Sequence, residues 1–214
     1  MKASGFLAYL RKELERENER ILNNEFLKEA EKGTLEKEKI RLFAVQQNYI
    51  VSYDLRSLAT MLARSQNQDE LEFFYTLVVG DKEALRQLRA FSEELGLRRN
   101  EVEKSPILAE AVAYTHYLAW LAHYANAGEQ ATALVVNLPI WGSVVKRLGS
   151  ALKENYSIKQ TGFFELFAGP YDALEGLALK VMEGYIDEHK DGMERCARLI
   201  QRYELMFWEG VYRG

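Results

Sequence analysis

Residues 30–59 read AEKGTLEKEKIRLFAVQQNYIVSYDLRSLA, and their apolar positions recur in steps of three and four. That is the period of an α-helix with one buried face. Gly33 suits the C-terminal cap of a short preceding helix. Thr34 is placed to cap the next, with Glu36 in its first turn near the positive end of the dipole. The spacing predicts a helix from Thr34 to about Ser65, without a reciprocal capping box, because Lys37 stands where a Glu or Gln would be needed. Outward from this segment the same period predicts helices over about 5–21, with an interruption at Asn23 and Asn24, and over 70–95, closed by Gly96. Further helices are expected over 106–127, 129–155, 163–189 and 191–212. No stretch alternates with period two, so the chain reads as all-α. Pro139 and Gly142 fall inside the 129–155 helix and predict a kink, which either leaves room for a ligand or serves packing alone.

The 214 residues show no shift in composition, which predicts a single domain over 1–214. Long helices joined by short loops, with no repeat period, predict a compact bundle. With 28 basic and 32 acidic side chains the net charge is −4, so neither nucleic acid nor an anionic membrane is an expected partner. The uncharged stretch 111–128, AVAYTHYLAWLAHYANAG, only just reaches the length of a membrane span. Its histidines, three tyrosines, Thr115 and Asn126 argue for a core helix instead. Cys196 is the only cysteine and cannot form an internal disulfide, and the N-terminal region carries no export pattern. A cytoplasmic location is expected.

The runs AEKGTLEKEKIRLFAVQQNYIVSYDLRSLA, LRQLRAFSEELGL, AYTHYLAWLA and YELMFWEGVY follow one another in an order that resembles the TenA / thiaminase II family. The closing Tyr203-Glu204-x-x-Phe207-Trp208 is the most specific of them. The resemblance implies a seven-helix haem-oxygenase-like bundle with a central small-molecule pocket, assembled as a homodimer or homotetramer. In enzymatic members a cysteine adds to the pyrimidine of thiamin or its breakdown products, an aspartate and a glutamate handle protons, and aromatic rings stack on the ligand. Tyr114, Tyr171 and Glu204 match family positions. The family's aspartate falls on Gln47, an amide that hydrogen-bonds but does not titrate. Its cysteine falls in LPIW at Pro139 or Ile140, and no acid occurs from Leu138 to Val145. The expectation is a pocket for a small planar heteroaromatic ligand, without the family's covalent hydrolysis.

Glu204 stands in the apolar run LMFW, which predicts either a buried acid acting on the ligand or a carboxylate paired inside the core. Tyr114, Tyr117, Leu121 and Tyr124 share one helical face, with Tyr114 and Tyr117 assigned to the pocket and Tyr124 to the core. Asp54 lies seven residues from Gln47 on the same face and is a further ligand-binding candidate, or half of a buried ion pair, with Arg56 an indirect partner at most. Cys196 is expected as a buried small hydrophobe. His116 and His123 lie roughly 10.5 Å apart along their helix axis, too far to share a metal, and His189 reads as a solvated helix end. No metal or cofactor is therefore expected. The alternatives are an oxidase of the same superfamily, metal-dependent or cofactorless, and a non-catalytic binding or regulatory protein.

Overall fold

A computed structural model describes residues 1–214. Helix α1 spans Ala3–Glu13, α2 Glu15–Leu22, α3 Glu25–Lys32, α4 Lys37–Ala63 and α5 Gln68–Glu94. Then follow α6 Arg99–Lys104, α7 Ala109–Tyr124, α8 Ala127–Tyr156, α9 Gly162–Leu166, α10 Asp172–Glu183 and α11 Ile186–Arg213. There is no strand, as the periodicity predicts.

Eleven segments stand where seven helices were expected. Local breaks account for part of the difference. Leu14 interrupts the first helix, Asn24 caps α3 by accepting from the Leu27 amide at 2.9 Å, and the short α6 and α9 fill connections. The boundary expected near residue 190 lies elsewhere. The chain breaks at 167–171, around Gly169 and Pro170, and again at Gly184 and Tyr185, so Asp191 sits inside α11. Gly33 closes α3 in the left-handed conformation at φ +70°, as read from the sequence. Thr34 does not cap α4: its hydroxyl turns back to the Glu29 carbonyl, and α4 starts three residues later. Helix α8 begins with a capping box of Asn126 and Glu129 and stays helical across Pro139.

Helix α4 packs on α5 and α7, while α11 packs on α7 and α8. The core falls into two halves. One gathers Phe26, Phe43, Phe91, Phe163, Phe164, Phe207 and Trp208 into an aromatic cluster, with Phe43 and Trp208 stacked at 5.9 Å between centroids. The other is largely aliphatic, built from α1, the C-terminal part of α4, the first half of α8, α10 and the start of α11. Tyr114 on α7 packs against both. No helix is long and apolar enough to cross a membrane.

Candidate functional site

At the seam between the two core halves lies a cavity of about 280 Å³. Helix α4 lines it with Gln47, Ile50, Val51, Asp54 and Leu58, whose spacing of 3, 4, 7 and 11 keeps them on one face. Leu134, Asn137, Leu138 and Trp141 of α8 face it in the same way, and α5 adds Thr76, Leu77, Gly80 and Asp81. Tyr114 and Leu118 come from α7, and Glu204 and Phe207 from α11. The segment from α9 into α10, with Phe163, Phe167 and Tyr171, completes the wall. Gly142 allows this closure: a Cβ there would collide with the Tyr171 hydroxyl and the Phe167 carbonyl. Tyr171, rather than a ligand, takes the space that glycine leaves, and its hydroxyl donates to the Phe167 carbonyl.

Glu204, 2% exposed, anchors a chain of hydrogen bonds. Its Oε1 accepts from Trp208 Nε1 at 3.3 Å and its Oε2 from Asn137 Nδ2. Asn137 Nδ2 also donates to Gln201 Oε1 at 2.8 Å, and Gln201 Nε2 donates to Asn18 Oδ1 at 2.5 Å. The Tyr114 hydroxyl donates to Asn137 Oδ1 at 3.0 Å. Burial raises the Glu204 carboxyl to about 8, against the two hydrogen bonds that favour its charged form. Near neutral pH it therefore holds a proton that it can give up. No arginine pairs with it. Burial also pushes the Tyr171 phenol up to about 12, with the Glu204 charge adding to the effect.

Asp54 accepts from the Thr115 hydroxyl across the α4–α7 contact, and no ion pair forms with Arg56, which is exposed and stacks on the Tyr53 ring at 4.9 Å. Asp81 also lines the cavity, and its Oδ2 is enclosed without a hydrogen-bond partner. Burial raises both aspartates, and the charge of Asp54 raises Asp81 further. The Tyr114 phenol is raised by burial first and then by the charges of Asp54, Glu204 and Asp81.

Five of the six residues singled out from the sequence, Gln47, Asp54, Tyr114, Tyr171 and Glu204, line this one cavity. Tyr117 does not. Three residues along a helix is a turn of about 300°, so it points some 60° away from Tyr114. There it packs against Tyr203 at 4.9 Å and Trp120 at 5.7 Å. Tyr124, placed in the core by the same stripe, is 76% exposed at the end of α7, about 80° from Tyr114. Asp81 and Asn137 were missed. Each is the first polar residue after an apolar run, LVVG before Asp81 and ALVV before Asn137, and that pattern is the signal that could have found them. Cys196 is buried in the second core half and does not line the cavity, and none of the α8 residues facing it is a nucleophile. His116, His123 and His189 are all exposed, and no three His, Cys, Asp or Glu side chains are grouped to hold a metal.

No curated protein sequence matches the chain. Among solved structures it is similar to a TenA homologue from Pyrococcus furiosus, with a TM-score of 0.79 and 23% identity over 97% of this chain and 100% of that one. A TenA homologue from Pseudomonas syringae pv. tomato gives a TM-score of 0.84 at 11% identity, over 100% and 96% of the two chains. Haem oxygenase-1 from Synechocystis, solved in complex with haem, gives 0.69 at 15%, over 97% and 91%. At these identities the likenesses establish the haem-oxygenase-like fold. The TENA/THI-4/PQQC family model matches residues 11–214, nearly the whole chain, and the chain belongs to that family.

Proposed function

We propose that the chain binds a small planar heteroaromatic base, of the thiamin or aminopyrimidine type, in the cavity between its two core halves. The observation that carries this reading is the placement of Glu204, a buried carboxyl raised to about 8, in a wall of aromatic rings. A proton held near neutrality suits exchange with a ring nitrogen, and Tyr114, Trp141, Phe207 and Tyr171 offer faces and edges for stacking. Gln47 supplies an amide for the donor and acceptor edge of such a ring. None of the 24 lining residues is Lys, Arg or His, while three are carboxylates, so the preferred ligand is neutral or cationic and carries no phosphate.

Thiolate addition is not part of the proposal, because the only thiol lies outside the cavity. Any hydrolysis proceeds by direct attack of water, with Glu204 handling the proton. Titration of the purified protein with thiamin and with 4-amino-2-methylpyrimidine, followed by Trp141-sensitive fluorescence and calorimetry, tests the reading. Saturable binding, weakened at least about tenfold by Glu204→Gln, a loss of about 1.4 kcal/mol, is expected. No binding of either compound, or equal binding by the variant, would overturn it. Turnover of thiamin by a Cys196→Ala variant is expected to equal that of the unaltered protein.

A further inference from the structure

Glu204 takes one of its hydrogen bonds from a residue whose own orientation is fixed outside the cavity. An amide side chain donates at one end and accepts at the other, so turning it over exchanges the two. Gln201, fully buried on α11, donates its Nε2 to Asn18 Oδ1 at 2.5 Å, which leaves its Oε1 for Asn137. Asn137 must then present Nδ2, its only donor atom, to Gln201 at 2.8 Å and to Glu204 Oε2. Its oxygen is left for the Tyr114 hydroxyl at 3.0 Å. Neither Asn18 nor Gln201 lines the cavity, and Asn18, on α2, keeps 8% exposure at the outer end of the series. Were all three amides turned over, Asn137 would offer Glu204 an oxygen, which suits a protonated carboxyl and not a charged one.

We propose that Asn18 and Gln201 are positioning residues for Glu204: the polarity of the three amides holds the Asn137 amino group on its carboxyl. This rests on Glu204 as the proton-holding group of the site and adds two residues that lie outside the cavity wall. The titratable groups facing Glu204 are Tyr114 and Tyr171 and, on other helices lining the same cavity, Asp54 and Asp81. Helices α1, α2, α3, α8 and α10 bury no titratable side chain. None of the four groups bonds Asn18 or Gln201, so a change at either residue reaches Glu204 through Asn137.

The test follows the Trp208 indole N–H, which bonds Glu204 Oε1 at 3.3 Å, by nitrogen-edited NMR of the whole chain without ligand as the pH is raised from 5 to 10. An inflection near 8 is expected, and Glu204→Gln should remove it. The Asn137 side-chain amide protons should move with the same inflection, and their failure to do so would overturn the positioning role without any variant having to fold. Asn18→Leu and, separately, Gln201→Leu should shift the inflection upward by at least about half a pH unit, because Asn137 is then free to turn its oxygen to a protonated Glu204. Asn18→Asp keeps an acceptor for Gln201 and should stay closer to the unaltered protein than Asn18→Leu does. An unchanged inflection in a folded Asn18→Leu protein, or a shift in Asn18→Asp as large as in Asn18→Leu, would overturn the role and leave the ligand reading standing. Loss of pyrimidine binding with the shift intact would end the ligand reading alone. No inflection at all in the unaltered chain would end both.

Discussion

Glu204 and Asp81 are both carboxylates in the wall of one cavity, yet the chain treats them in opposite ways. Both oxygens of Glu204 accept hydrogen bonds, and the Asn137 that serves it also ties Tyr114 and Gln201 together, so α7, α8, α11 and α2 meet in one network. Asp81 leaves an enclosed oxygen with no donor. A satisfied buried network specifies how helices pack, whereas an unsatisfied acid adds cost and ties no helices together. Glu204 joins the wall of the cavity to the packing of the bundle, and Asp81 Oδ2 does not.

The largest test of this contrast is Asn137→Leu. It removes the acceptor for Tyr114 and the donor to Glu204 and Gln201 in one step, and the expected loss is roughly 3–5 kcal/mol by urea denaturation. A loss below about 1 kcal/mol would mean that the network does not hold the helices together. Next comes pH. Glu204 binds its proton more tightly in the folded chain, about 8 against 4.5, so its contribution is full below 4.5 and is lost as pH rises towards 8. Asp54 and Asp81 are raised too and act in the same direction. The thermal midpoint should fall between pH 5 and pH 9 by the equivalent of a few kcal/mol, since each tenfold gain in proton affinity on folding is worth about 1.4 kcal/mol before water penetration is allowed for. Glu204→Gln should flatten that slope, and an unchanged slope would contradict the assignment.

Asp81→Asn sharpens the other side of the comparison. At pH 8 the variant should be more stable than the unaltered chain, by about 1 kcal/mol, because an uncompensated buried acid has been removed. The gain should shrink as the pH falls and Asp81 takes up its proton, and a destabilised variant at pH 8 would show that Asp81 has a structural partner. The smallest effect is expected from Tyr117→Phe. Its hydroxyl has no hydrogen-bond partner and its ring lies outside the cavity, so stability should change by less than about 0.5 kcal/mol and ligand affinity by nothing measurable.

Much of the bundle was legible in the sequence because helical period and capping are local. The α4 face from Gln47 to Leu58 could be read from spacing alone, and Gly33 and Gly96 stand at helix ends with φ of +70° and +71°. The last third was harder. Gly169 and Pro170 split one expected helix, and Gly184 ends α10 where no boundary was placed. Tyr117 shows a further limit, since a shared helical face spans well over 60° and a cavity can occupy only part of it.

The sequence by itself determined that the chain is all-helical, that it resembles the TenA family, and that no thiol stands where that family's nucleophile falls. Those features depend on residue type and on spacing within a helix. Only the tertiary structure decided that Gln47, Asp54, Tyr114, Tyr171 and Glu204 share one cavity and that Tyr117 and Cys196 do not. It alone brought Asp81 of α5 beside Asp54 of α4 and Asn137 of α8 beneath Glu204 of α11. Contacts between helices depend on which faces meet and at what register, and a single helix's period leaves both open.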